Sequence, residues 1–574
     1  MTAAEAHNEQ AMGASQAPST DNEFAPTKLP EKKPETQTNM PFSAAKLTFM
    51  LAALTLASFL VFLDSSIIST AIPSITDEFH SLTDVGWYGS AYQLGSAASV
   101  PLSGGIYHRF SLKWAYLVYF ALFEIGSAIC GAAQSSAMLI AGRAIAGVGG
   151  AGLSSGAFVI VAATVPMERR PAIVGLLFGL SQVGAVVGPL IGGAFTTGYT
   201  WRWSFYINLP LGALVALPLL LMRVPEQVEK ESALKVVRKL HRCLDLVGFV
   251  LLTGTMVMLL LALQFGGIQF PWSSSQIIGL FVGSGVTFIV WCFWNHHKGD
   301  QGLLPFTLLK RTAIYMSGIN YLFLLATLYG GLYFLPIYFQ AVKGDNAIMS
   351  GVNLLPLILL QIVSAVAGGA AVGKLGYVIP LALLGGVFNT VGSGLLSTLQ
   401  PKTTTGQWVG YLIISGIGRG TSIQMPMISV QAAASPKEMA SAMAFIVWCQ
   451  YFGPAIFLAL FNLLFDASLV KELHERVPNL DPQAIIDAGA TAFRQHVSAQ
   501  DLPQTLIAYS NSLDHTFYLQ TAAGAVAVFA ALGMGWTDIR KKKFPPPAQA
   551  PTDQGVTEAI GDGPETASEG EAKV

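Results

Sequence analysis

A chain of 574 residues with 52% hydrophobic and only 11% charged residues carries too few charges for a soluble domain, which has roughly 25%. Mean hydropathy is +0.53 and the net charge is -1, so the composition describes a polytopic membrane protein and offers no basic surface for nucleic acid. Cys130, Cys243, Cys292 and Cys449 are scattered, which gives neither a disulfide framework nor a metal-ligand spacing.

Residues 1–43 are polar and rich in Pro, Thr and Glu, without the pattern of a signal peptide, and are expected to form a disordered cytoplasmic tail. Apolar runs long enough to cross a bilayer then begin near Leu47, Val85, Leu112, Met138, Ile173, Arg202, Leu244, Gln276, Thr312, Met349, Val378, Gln407, Met439 and Thr516, which predicts about fourteen helices. Basic residues collect in alternate loops, among them Arg109, Lys113, Arg169, Arg170, Lys310, Arg311, Lys374 and Lys437, with Arg540 to Lys543 after the last run. The positive-inside rule therefore puts both termini in the cytoplasm.

Four charges lie within the predicted spans: Asp64 in the first, Glu124 in the third, Arg143 in the fourth and Arg419 in the twelfth. Each is costly in hydrocarbon unless paired or hydrated, so each is a functional candidate. Burial and a neighbouring cation act in opposite directions on a carboxyl's affinity for a proton, and that competition suits a proton switch. Arg143 must face a carboxylate, carbonyls or water, and Asp64 is its expected partner, with Glu124 as the alternative.

Between the second and third spans stands Gly104-Gly105-Ile106-Tyr107-His108-Arg109-Phe110-Ser111-Leu112-Lys113. In the fifth span Gly184, Gly188 and Gly192 recur every fourth residue, so they share one helix face open to backbone-to-backbone packing, and Pro189 removes a backbone donor there. Gly193 completes this motif, and Trp201-Arg202-Trp203 to Pro210 follows it. Arg143 with its glycines in the fourth span is echoed by Arg419 in the twelfth, and Gly188-Pro189 by Gly453-Pro454 in the thirteenth. The offset of about 265 to 275 residues makes a six-helix unit that recurs after two inserted helices, as in transporters built from repeats. Tyr92, Gln93, Gln182, Tyr333, Gln361, Gln424, Trp448 and Gln450 combine aromatic faces with neutral hydrogen-bonding groups. Such a lining suits small amphipathic, mostly uncharged molecules, while the structural alternative is helix–helix glue.

The loop at residues 104–113 resembles the cytoplasmic signature of the major facilitator superfamily, Gly-x-Leu-x-Asp-Arg-x-Gly-Arg-Lys. Gly104, Arg109 and Lys113 match, whereas His108 stands at the acidic position, Ser111 at the second glycine and Leu112 at the first basic residue of the final pair. With Leu63-Asp64-Ser65-Ser66 to Pro73, Gly142-Arg143, the Gly184 to Gly193 stretch and Trp201 to Pro210 in this order, the chain resembles the fourteen-helix drug:proton antiporters of that superfamily, and among them fungal exporters of toxins and secondary metabolites. The resemblance implies an all-α major facilitator fold: two six-helix bundles at residues 44–223 and 298–537, a cytoplasmic linker at 224–243, two inserted helices at 244–297, a long extracellular loop at 468–514 and a disordered tail at 538–574. It implies proton-coupled efflux by alternating access, with no cofactor beyond the proton gradient. Asp64 and Arg143 match coupling positions, Gly188 and Pro189 the antiporter position, and Gly104, Arg109 and Lys113 the gating loop.

A monomer in the plasma membrane is expected, with the vacuolar membrane as the alternative. Two rival readings are a siderophore or nutrient symporter of the same superfamily and a non-transporting receptor on a transporter scaffold. No Walker lysine loop, HExxH or nucleophile elbow occurs, so neither an ATP-driven pump nor an enzyme is suggested.

Overall fold

The computed structural model describes residues 44–80, 85–222, 224–226, 230, 244–267, 270–486, 493–494 and 497–540. Its long helices, numbered by span, are α1 Ala44–Ile67, α2 Val85–Arg109, α3 Leu112–Gly131, α4 Ser136–Thr164, α5 Arg170–Gly198, α6 Asn208–Leu221, α7 Leu246–Phe265, α8 Ser275–Lys298, α9 Thr312–Ile337, α10 Leu355–Leu375, α11 Ile379–Leu396, α12 Thr405–Ile423, α13 Met439–Arg476 and α14 Leu502–Leu532. Twelve of the helical segments are long and apolar enough to cross a membrane. The two that fall short of that apolarity are α2 and α12, rich in small and polar residues, and both are packed inside the bundle against α4 and against α10 and α11.

Local chemistry sets several helix starts. Ser135 accepts a hydrogen bond from Met138 N at 3.3 Å, Asp245 from Gly248 N at 2.9 Å and Ser274 from Ile277 N at 3.3 Å, while Thr404 and Gln407 form a capping box. α8 and α10 stop at Gly299 (φ 58°) and Gly376 (φ 83°), left-handed positions that glycine takes without a Cβ penalty.

Helix pairing repeats along the chain. The pairs α1–α5, α2–α4, α3–α4, α1–α6 and α3–α6 recur eight helices later as α9–α13, α10–α12, α11–α12, α9–α14 and α11–α14. Two seams join the halves, α2 with α13 and α5 with α10, and the same shift converts one into the other. α7 packs on α2, and α8 packs on α7. α8 presents Ile278, Val282, Val286, Ile289 and Phe293 outward, as a lipid-facing helix does.

The halves close on each other at the end that carries the basic loops. A Cβ on Gly104 of α2 would lie 2.7 Å from Ala444 Cβ and 3.1 Å from Ser441 Cα of α13. On Gly369 of α10 it would lie 2.7 Å from Ala172 N of α5. Midway along, Ser154 of α4 and Tyr451 of α13 are joined by a 3.0 Å hydrogen bond.

The structure departs from the sequence expectation at the segment 468–514. α13 continues to Arg476, a short helix covers residues 482–486, and α14 begins at Leu502. Polar residues hid this because the helices leave the apolar zone without ending, while Ile485, Phe493 and Tyr509 join the hydrophobic core formed with Phe339, Trp408 and Phe465. The expected tail at 538–574 likewise begins ordered: Ile539 N donates to Gly376 O at 2.9 Å and Arg540 to Lys374 O at 2.8 Å. The N-terminal tail, residues 541–574 and most of the linker lie outside the described residues.

Candidate functional site

Asp64 of α1 and Arg143 of α4 form an ion pair of 2.5 Å, with both side chains completely buried. The glycines of α4 allow it: a Cβ at Gly147 would meet the Tyr92 carbonyl of α2, and one at Gly149 would meet the backbone of Phe123 on α3. The guanidinium also donates through Nε to Tyr88 O at 3.1 Å and lies 4.6 Å from the centre of the Tyr92 ring. The second carboxylate oxygen of Asp64 accepts from Asn208 Nδ2 at 3.0 Å, and Asn208 reaches Ser127 Oγ at 3.0 Å. Five helices thus contribute to one buried polar cluster. Such a pair is held by geometry rather than by solvation, so loss of one partner leaves an uncompensated charge.

Glu124 is not the partner of Arg143. It sits beside the cluster against Gly212 of α6, and both its carboxyl oxygens are buried without a hydrogen-bond donor. Arg419 of α12 is also buried, but its partners are neutral: Asn389 Oδ1 at 3.2 Å and Thr327 O at 3.0 Å.

The glycine face of α5 lies on α1 at the turn that carries Asp64. A Cβ at Gly188 would be 3.0 Å from Ile67 N and 3.1 Å from Leu63 O, at Gly184 2.5 Å from Phe59 O, and at Gly192 2.5 Å from Ile67 O. Gly193 is different, with nothing within 4 Å of its Cβ position. Pro189 is inside the helix on the turn between them. At the turn between α2 and α3, Arg109 Nη1 donates to Gly105 O at 3.3 Å, and Lys113 Nζ donates to Leu220 O at 2.7 Å. At the far end of the first bundle, Arg202 grips Glu78 through two bonds of 2.8 and 2.9 Å, and Trp201 Nε1 adds a third of 2.8 Å. Hydrogen bonding from Arg202 holds the Glu78 carboxyl below its ordinary range.

The residues expected to line a substrate cavity do not form one group. Tyr333 is exposed and Gln93 is half-buried. Tyr92 is buried beneath the Arg143 guanidinium. Gln361 and Gln182 are buried, Gln424 Nε2 donates to Ala365 O at 2.5 Å, and Gln450 accepts from Tyr321 at 3.1 Å. Trp448 stacks on Phe452 at 4.7 Å. Sequence reasoning gave no role to Asn208, Tyr88 or Ser127. Asn208 stands within the Trp201 to Pro210 stretch, and a neutral amide two residues before a proline carries no charge to mark it.

A helical bundle of two repeated halves, the first with a buried ion pair inside it, is the architecture of a membrane transporter. The chain belongs to the Major Facilitator Superfamily, whose model matches residues 54–458. It is 51% identical to the MFS-type transporter pigP of Monascus ruber, with 88% of each chain covered. It is 45% identical to the efflux pump mlcE of Penicillium citrinum, covering 87% of this chain and 91% of that one, and 37% identical to the efflux pump aflT of Aspergillus parasiticus, covering 87% and 98%. Among solved structures it resembles the proton:xylose symporter XylE, with a TM-score of 0.54 at 13% identity over 87% of this chain and 99% of that one. It also resembles the human organic anion transporter MFSD10, with a TM-score of 0.52 at 13% identity over 83% and 99%. These two likenesses concern the fold.

Proposed function

We propose that this integral membrane protein exports small amphipathic organic molecules in exchange for protons. The observation that carries the reading is the Asp64–Arg143 pair, the one ion pair among the described residues with both side chains fully buried. An exchanger needs a group that is charged in one state and neutral in the other, and Asp64 is placed to serve. With the proton absent, Arg143 and Asn208 stabilise the carboxylate. With the proton bound, the ion pair is lost and Arg143 falls back on the Tyr88 carbonyl. Because Gly188 of α5 rests on the Asp64 turn of α1, a change in that pair is passed directly to a helix of the α5–α10 seam. The efflux-pump names of relatives at 45% and 37% identity support the outward direction. The basic loops at the closed end support a reading in which that end and both termini are cytoplasmic.

The test is uphill transport of a fluorescent amphipathic probe in inside-out vesicles under an imposed pH gradient. Wild-type protein accumulates the probe and Asp64→Asn does not, at equal protein level. Uphill transport by Asp64→Asn at the wild-type rate removes Asp64 from the coupling step.

A further inference from the structure

Glu124 of α3 takes no part in the hydrogen bonds of the cluster beside it. Both its carboxyl oxygens are buried, and among the described residues no donor reaches either one. A Cβ at Gly212 of α6 would meet this carboxyl, so the α3–α6 contact is shaped around it. The next residue, Ile125, is exposed, so lipid lies close by. A carboxylate without donors in such a place is far costlier than a carboxylic acid, and the group escapes the cost by keeping a proton. The cluster has an orphan of its own. Asn208 gives its amide hydrogens to Asp64 Oδ1 and Ser127 Oγ, at 3.0 Å each, while its Oδ1 is buried with no donor. Gly212 follows Asn208 by four residues and Ser127 follows Glu124 by three, so the acid and the orphan acceptor belong to one α3–α6 contact.

The second half repeats this contact without either acid. Gln520 of α14 stands four residues before Gly524, as Asn208 does before Gly212, and its Nε2 donates to Ser393 Oγ of α11 at 2.9 Å. Three residues before Ser393, where α3 has Glu124, α11 has Thr390, and a Cβ at Gly524 would lie 2.8 Å from its Oγ1. The Thr390 hydroxyl is satisfied within its own helix, donating to Gly386 O at 2.8 Å. Where Asp64 of α1 meets Asn208, Gly330 of α9 meets Gln520, its Cβ position lying 2.9 Å from Oε1. The packing at Glu124 therefore needs no carboxyl. The two acids stand together in one half and are replaced together in the other.

We propose that Glu124 is a second proton-binding site, which holds its proton while Asp64 is ionised, with Asn208 joining the two carboxyls. The proton on Glu124 is the donor that Asn208 Oδ1 lacks, and Asn208 in turn steadies the charge on Asp64. Ionising both acids would set two negative charges against the single cation Arg143, so the two carboxyls do not ionise together. Little else is near to take a charge. Of the elements packed on α3, α6 has no titratable residue, α4 has only Arg143 and the short helix Trp203–Tyr206 has only Tyr206, while Tyr88 and Tyr92 of α2 lie against Arg143. The site rests on the exchange proposed above and adds a second proton-binding group to it.

The test reads the proton rather than transport. The full-length protein is reconstituted in liposomes, and infrared difference spectra between the wild type and Glu124→Gln are recorded as the pH is varied. A protonated carboxyl has a carbonyl stretch that a carboxylate lacks, and the difference isolates that of Glu124. The wild type is expected to show this band at neutral pH and to lose it on the alkaline side. In an Asp64→Asn background the same pair of spectra is expected to lose the band at a pH lower by about one unit or more, because a neighbouring negative charge has gone. Glu124→Thr, which takes the residue of the second half, is expected to match Glu124→Gln in the spectrum and the wild type in protein level, which separates the band from misfolding. Absence of the band at neutral pH overturns the site, and a midpoint that Asp64→Asn does not move overturns its link to Asp64. A band that behaves as expected in a protein without proton-driven export faults the functional reading and leaves the site standing.

Discussion

Asp64, Arg143 and Asn208 form a chain of three side chains in which only the contact between Asp64 and Arg143 is doubly charged. Removing Arg143 alone leaves a buried carboxylate, and removing one partner of such a pair costs about 3–5 kcal/mol. The double variant Asp64→Asn, Arg143→Ala is therefore expected to be more stable to heat in detergent than Arg143→Ala alone; a cycle in which the two losses simply add would separate the residues. Asn208→Ala removes a donor from the other Asp64 oxygen and should cost about 1–3 kcal/mol, read as a lower unfolding midpoint. Its loss should also shift the pH at which efflux is half-maximal, and an unmoved pH profile would make Asn208 purely structural. A different pH response belongs to Glu78. Its carboxyl is held below the ordinary value of 4.5 by Arg202, so the clamp is complete above that value and is lost as pH falls through the lower folded one. Thermal stability of the wild type should drop in this acid range, and Arg202→Ala should flatten the drop. The ion pair was legible in the sequence because charges in apolar runs stand out. Asn208 was not, because an amide in such a run has no charge to be weighed.

At the scale of helices, the glycine repeat of α5 separates contact from spacing. Gly184, Gly188 and Gly192 all meet α1, whereas Gly193 faces open space. Gly188→Leu should leave protein level near normal and lower export more than about tenfold, since the side chain must wedge between backbones in contact. Gly193→Ala should preserve export and raise stability by about 0.5–1 kcal/mol, the gain of alanine over glycine within a helix. Export assays on the pair decide the point: equal behaviour would mean that the face packs loosely. This face was readable in the sequence because a period of four residues maps onto one side of a helix. The sequence was silent on which way Gln361, Gln424 and Gln450 point, since a helix apolar all round has no moment to orient it. The structure buries all three amides, and Gln424 and Gln450 bond to neighbouring helices as glue. The extension of α13 and α14 past the apolar zone was hidden for a related reason. Hydropathy marks where a helix leaves lipid, and not where it stops.

For the whole molecule, the repeated pairing of helices and the two equivalent seams make two like halves, and in the proposed exchange one half rocks against the other. The seams are closed at the end with the basic loops, so the structure represents the state sealed on that side. In the exchange proposed above, proton and cargo share one conformational change, which makes their fluxes inseparable. The direct measurement is proton movement driven by cargo alone. The purified protein is reconstituted in liposomes with a trapped pH dye, and a gradient of an amphipathic probe is imposed with no initial pH difference. The account predicts proton flux opposite to the probe in the wild type and none in Asp64→Asn. Proton flux in the same direction as the probe, or probe movement without protons, would contradict it.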